Sequence, residues 1–90
     1  MRTYEVRLKR QPRNIIRRLP KDLRTRIYRA FAELAINPRP FGYKKLKGHD
    51  DLYRIRVGDW RITYAIIEDE LIILVAEVSP RGGAYRGLAR

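Results

Sequence analysis

The chain has 90 residues, 44% of them hydrophobic and 34% charged, with 21 Lys+Arg against 10 Asp+Glu for a net charge of +11. That length makes one small domain, residues 1–90, able to bury one core of helices on a sheet and too apolar to be a disordered tail. The absence of cysteine excludes a disulfide framework and a thiolate metal site. The longest unbroken apolar stretch, Leu71 to Ala76, is too short to cross a bilayer, and the first residues lack the apolar run of a signal peptide, so a cytoplasmic protein is expected.

Thr3 to Leu8 alternates Tyr4, Val6 and Leu8 against Thr3, Glu5 and Arg7, the period of a half-buried strand. A helix is expected from Pro12, with Ile15, Ile16 and Leu19 as its apolar stripe, until Leu19-Pro20 breaks it. A second helix starts near Lys21 and places Leu23, Ile27, Ala30, Phe31 and Leu34 at helical spacing before Asn37-Pro38 stops it. The outer faces of this pair carry Arg17, Arg18, Lys21, Arg24, Arg26 and Arg29, which read as a solvated surface. After a Pro- and Gly-containing loop come Lys44, Lys45 and Lys47. Leu52 to Val57 and Trp60 to Ile67 then flank Gly58-Asp59, a two-residue hairpin turn with glycine first. A last strand follows the acidic turn Glu68-Asp69-Glu70 and runs to Val78. The order, one strand, two helices and then three or more antiparallel strands, predicts an α+β fold with the helices covering one sheet face.

The charge is uneven. Residues 1–49 hold 15 basic and 3 acidic side chains, residues 50–78 hold 3 and 7, and residues 79–90 hold 3 and none. Such a field favours nucleic acid, an anionic membrane surface or an acidic protein partner. Parity is more specific. A two-residue turn at Gly58-Asp59 pairs Val57 with Trp60, and therefore Arg56 with Arg61 and Arg54 with Thr63 on one face. Two arginines directly opposed repel unless something anionic lies between them. Arg81 follows the last strand, ahead of Gly82-Gly83 and Tyr85. Converging guanidinium groups suit phosphate; the alternative is neutralisation by Asp50, Asp51, Asp59 or Glu77 in a surface network. His49, beside Asp50 and Asp51, lacks metal-ligand spacing and is a possible general base. No metal or other cofactor is expected, since no phosphate-binding glycine loop, dinucleotide fingerprint or nucleophile elbow is present.

The strings KKLKG (44–48), LYRIRVGDWRITY (52–64) and PRGGAY (80–85), in this order, resemble the RelE toxins of prokaryotic toxin–antitoxin pairs over roughly residues 3 to 86. The resemblance implies an α+β, microbial-ribonuclease-like fold, two N-terminal helices packed on a roughly four-stranded antiparallel sheet, and a metal-independent endoribonuclease that cuts mRNA in the ribosomal A site by attack of a 2′-hydroxyl on the adjacent phosphate. It implies catalytic roles for Arg56, Arg61, Arg81 and Tyr85, with Arg54, Lys44, Lys45 and Lys47 on the substrate. Several relatives carry lysines where this chain has Arg54 and Arg56. Arginine effectively does not release its proton, so the general base is open between Tyr85, His49 and solvent.

Two other readings stand beside this one: a ParE-like, non-catalytic inhibitor of DNA gyrase, and a small basic nucleic-acid-binding protein. As a toxin of this family the chain would be held inactive by an acidic antitoxin, in a heterodimer or heterotetramer, and would act on the ribosome and mRNA with no membrane contact. If the acidic turn is a three-residue loop, Ala65, Ile67, Leu71, Ile73 and Val75 share the open sheet face with Arg61 and offer that antitoxin an apolar patch.

Overall fold

A computed structural model describes residues 3–46, 48 and 51–80. Strand β1 (Glu5–Leu8) leads into helices α1 (Arg10–Arg17) and α2 (Lys21–Ile36), then into strands β2 (Lys44–Lys45), β3 (Leu52–Val57), β4 (Trp60–Ile67) and β5 (Ile72–Pro80). The strands form one sheet in the order β1-β5-β4-β3-β2. Two helices on a mainly antiparallel sheet is the expected α+β architecture. The sheet has five strands, because Lys44 and Lys45 pair briefly with Arg54 and Tyr53, and β1 lies parallel to β5.

Local chemistry explains the element ends. Helix α1 begins at Arg10, two residues before Pro12, because proline is tolerated throughout a first turn, where N–H groups have no intrahelical acceptor. Leu19-Pro20 separates the helices, and Asp22 in the first turn of α2 complements the helix dipole. Asn37 ends α2. Its departing chain is held by the buried Tyr64 hydroxyl, which donates to the Pro38 carbonyl at 2.7 Å.

The core lies between the helices and one sheet face. Ile15 and Ile16 of α1 and Ile27, Phe31 and Leu34 of α2 meet Ile55, Val57, Ile62, Tyr64, Ile73, Val75 and Val78. The parities expected for β3 and β4 hold. The strand β5 does not follow the expected register. Glu68–Glu70 form a 3₁₀ turn, and Leu71 closes it in the left-handed region at φ 55°. Ile67 therefore pairs with Ile72 across a four-residue connection. The extra residue flips the strand: Ile73 and Val75 point into the core, and Ile72 and Leu74 join Ala65 and Ile67 on the opposite face. A bulge between Thr63 and Tyr64 shifts the register again, which lets Val78 return to the core.

Gln11 repairs an edge that pairing leaves open. Strand β1 ends at Leu8, opposite Val75. Beyond that point the Gln11 side chain donates to the Val78 carbonyl and accepts from the Val78 N–H, both at 2.9 Å. Its amide stands in for the strand residue that is not there and fastens the start of α1 to β5.

Candidate functional site: the arginine face of the sheet

The hairpin sets the site. Gly58 adopts φ 60° as the first residue of a two-residue turn, a conformation that side-chain-bearing residues avoid. The Arg26 guanidinium also lies only 3.2 Å from where a Gly58 Cβ would stand. The turn fixes the register as Val57 opposite Trp60, Arg56 opposite Arg61 and Arg54 opposite Thr63. In such a hairpin the pair flanking the turn exchanges hydrogen bonds. Arg56 and Arg61 thus form the non-hydrogen-bonded pair, with Cα atoms only about 4.5 Å apart. The neighbouring strands extend both rows: Lys44 lies beside Arg54, Ser79 beside Arg61 and Glu77 beside Thr63.

By parity this face lies opposite the core, and at its β3 end Arg54 and Arg56 also line a groove with α2. Arg56 is exposed, while Arg54 and Arg61 are half-buried. Neither Arg54 nor Arg61 forms an ion pair with Asp51, Asp59 or Glu77; among the described residues the salt bridges are Arg7–Glu5 and Arg39–Glu68. Neutralisation by those three carboxylates therefore does not account for Arg54 and Arg61. The Arg61 Nε is buried with no hydrogen-bond partner. A buried, unsatisfied donor of this kind costs about 1–3 kcal/mol.

The structure brings Lys44, Arg54, Arg56 and Arg61 together on one face. Lys45 pairs with Tyr53 and so has the opposite parity. Arg81, Tyr85, Lys47 and His49, and with them Asp50, lie outside the described residues. No three His, Asp or Glu side chains among the described residues gather as metal ligands would. Glu77, expected from the sequence only as a counter-charge, joins this face. By register it is the diagonal neighbour of Arg61 on the same face, and it is exposed.

The tyrosines of the opposite face are structural. Tyr53 stacks on Tyr64 with ring centroids 6.0 Å apart, Tyr43 packs on Tyr53 at 5.9 Å, and the Arg39 guanidinium lies 5.7 Å from the Tyr53 ring centre. Burial pushes the Tyr64 phenol up to about 12, so it stays a neutral donor. Together these contacts anchor the loop between α2 and β2 and hold Lys44 beside Arg54.

A family model described as the ParE toxin of the type II toxin–antitoxin system parDE matches residues 4–85. The chain belongs to this toxin family. Within the wider RelE/ParE superfamily, RelE1 of Methanocaldococcus jannaschii is 40% identical over 73 residues, covering 73% of this chain and 81% of that protein. A chain of the archaeal RelE–RelB complex from Pyrococcus horikoshii OT3 superposes with a TM-score of 0.80 at 33% identity, covering 91% of this chain and 99% of that one. A chain of the intact E. coli RelBE toxin–antitoxin complex gives a TM-score of 0.76 at 22% identity, over 89% and 98% of the two chains, a likeness of fold. The expected fold and family are thus both found.

Proposed function

We propose that this RelE/ParE toxin is a metal-independent endoribonuclease that cuts mRNA in the A site of the ribosome. The observation that carries the proposal is the opposed pair Arg56–Arg61 with the buried, unsatisfied Arg61 Nε. As a phosphate becomes pentacoordinate, negative charge grows on its oxygens, and donors already in place stabilise it without solvent reorganisation. Arg56 and Arg61 take that charge, with Arg81 as a third donor, while Arg54 and Lys44 hold the flanking phosphate. Arginine does not serve as the base. Tyr85 is the first candidate to orient or deprotonate the 2′-hydroxyl and His49 the second; Glu77 is the carboxylate that the sheet adds to them.

The toxin acts in the cytoplasm and is neutralised by an acidic antitoxin in a heterodimer or heterotetramer. Two of the chains it resembles come from RelE–RelB complexes, and the sheet face away from the core carries the half-buried Ala65, Ile67 and Leu74 on the same side as the arginines. No helix among the described residues is long and apolar enough to cross a membrane.

The match to a ParE family model gives a second reading specific support: inhibition of DNA gyrase without catalysis. The test is induced expression followed by mapping of mRNA 5′ ends, alongside a supercoiling assay with purified gyrase. Breaks within codons that disappear with Arg61→Ala support the nuclease. Intact mRNA with inhibited supercoiling overturns it in favour of the gyrase reading.

A further inference from the structure

Helix α2 presents Arg26, Arg29 and Glu33 along one stripe, at helical spacing, toward the part of β3 that runs past the short edge strand β2. Between them lies an open groove of about 580 Å³, continued by Lys44 and Arg54 and with Phe41 among its lining residues. Small residues make the space: Ala30 on the helix, Gly42 in the loop and Gly58 in the hairpin turn. Arg26, Arg29, Lys44 and Arg54 form no ion pair within 4 Å, as shown by the salt bridges among the described residues, Arg7–Glu5 and Arg39–Glu68. Phe41 is fully exposed, at 107% of its reference surface, while the other phenylalanine, Phe31, is buried. A bare aromatic ring among unpaired cations contributes nothing to the core.

We propose that this groove binds a stretch of single-stranded RNA next to the scissile phosphate. The inference rests on the reading that the toxin acts on RNA. The backbone phosphates lie along Arg26, Arg29, Lys44 and Arg54, and a base stacks on Phe41. Positively charged grooves with aromatic platforms are the general solution for single strands. Glu33 distinguishes this occupant from an acidic peptide: a carboxylate among the cations repels acidic side chains but accepts hydrogen bonds from the amino group of a base. The groove is continuous with the arginine face, because Arg54 lines both and Arg26 packs on the turn that sets the Arg56–Arg61 pairing. The arginines of α2 are thus more than a solvated surface.

The test is fluorescence anisotropy of a labelled single-stranded 12-mer RNA with the purified toxin across a salt series, which requires no cleavage. Each phosphate contact contributes about 0.7 to the slope of log affinity against log salt for single strands. Arg26→Ala/Arg29→Ala should therefore lower the slope by about 1.4. Arg10→Ala/Arg17→Ala, which removes the same charge from α1, should change it by much less. Phe41→Ala should weaken binding about 10-fold at unchanged slope. All these side chains are exposed, and an unchanged melting temperature confirms that each variant folds. Equal effects of the two double variants, together with no effect of Phe41→Ala, would overturn the proposal. So would a loss of affinity confined to a labelled poly-glutamate peptide. The expected RNA pattern without ribosomal cleavage would keep the groove and refute the nuclease; cleavage with unaltered RNA binding by the groove variants would do the reverse.

Discussion

Replacing Arg61 with methionine should stabilise the fold while removing activity. The magnitude follows from the buried, unsatisfied Nε, which costs about 1–3 kcal/mol. Methionine keeps most of the aliphatic stem, so little packing is lost, and the net gain is about 1–2 kcal/mol. For a domain of this size each kcal/mol moves the melting temperature by about 4–8 °C; Arg61→Met should therefore melt roughly 5–15 °C higher. The assay is thermal unfolding followed by circular dichroism at low ionic strength. Inorganic phosphate should raise the melting temperature of the parent chain more than that of the variant, since an anion bound to the folded state stabilises it. A variant that melts at or below the parent temperature would show that the guanidinium is already satisfied, and the strained-site reasoning would fail.

Three further outcomes are expected from the packing. Gln11→Ala removes the amide that serves both backbone groups of Val78 and should cost about 1–2 kcal/mol in urea unfolding. Ile73→Ala should cost about 2–5 kcal/mol, and Leu74→Ala less than half as much, because Ile73 is fully buried in the core and Leu74 faces the other way. Tyr64 governs an alkaline transition: its folded-state value of about 12 lies above the ordinary 10.0. The folded chain therefore keeps a proton that the unfolded chain releases. The resulting stability, up to about 2–3 kcal/mol, is intact below pH 10 and is lost as the pH rises toward 12. Tyr64→Phe should be about 1 kcal/mol less stable at neutral pH, from the lost hydrogen bond, and should show a shallower decline in that alkaline window.

The β3–β4 hairpin was legible from the sequence because a two-residue turn leaves one register, and that register alone opposes Arg56 to Arg61. The last strand was not. Leu71 to Val78 is apolar at both parities, so only the backbone path decides which residues face the core. That path depends on a leucine in the left-handed region and on a bulge, and neither has a residue signature here. The parallel pairing of β1 with β5 joins segments more than sixty residues apart, beyond what local periodicity reports. Gln11 carries no motif; its role exists only because β1 ends at Leu8. In the groove, Arg26 and Arg29 were visible as part of a basic helix face, but Phe41 and Arg54 are brought to them by the fold. Glu77 was visible as a charge, and its place beside Arg61 came from the β4–β5 register.

The most direct test of the central claim is a single-turnover measurement on purified ribosomes carrying a defined mRNA codon in an open A site. The toxin and its Arg61→Ala variant are added in excess, and the cut strand is quantified with time. Cleavage within the codon should persist in the presence of a chelator and fall by on the order of 10²-fold or more in the variant. Uncut mRNA with the parent toxin, or equal rates for the two proteins, would contradict the claim.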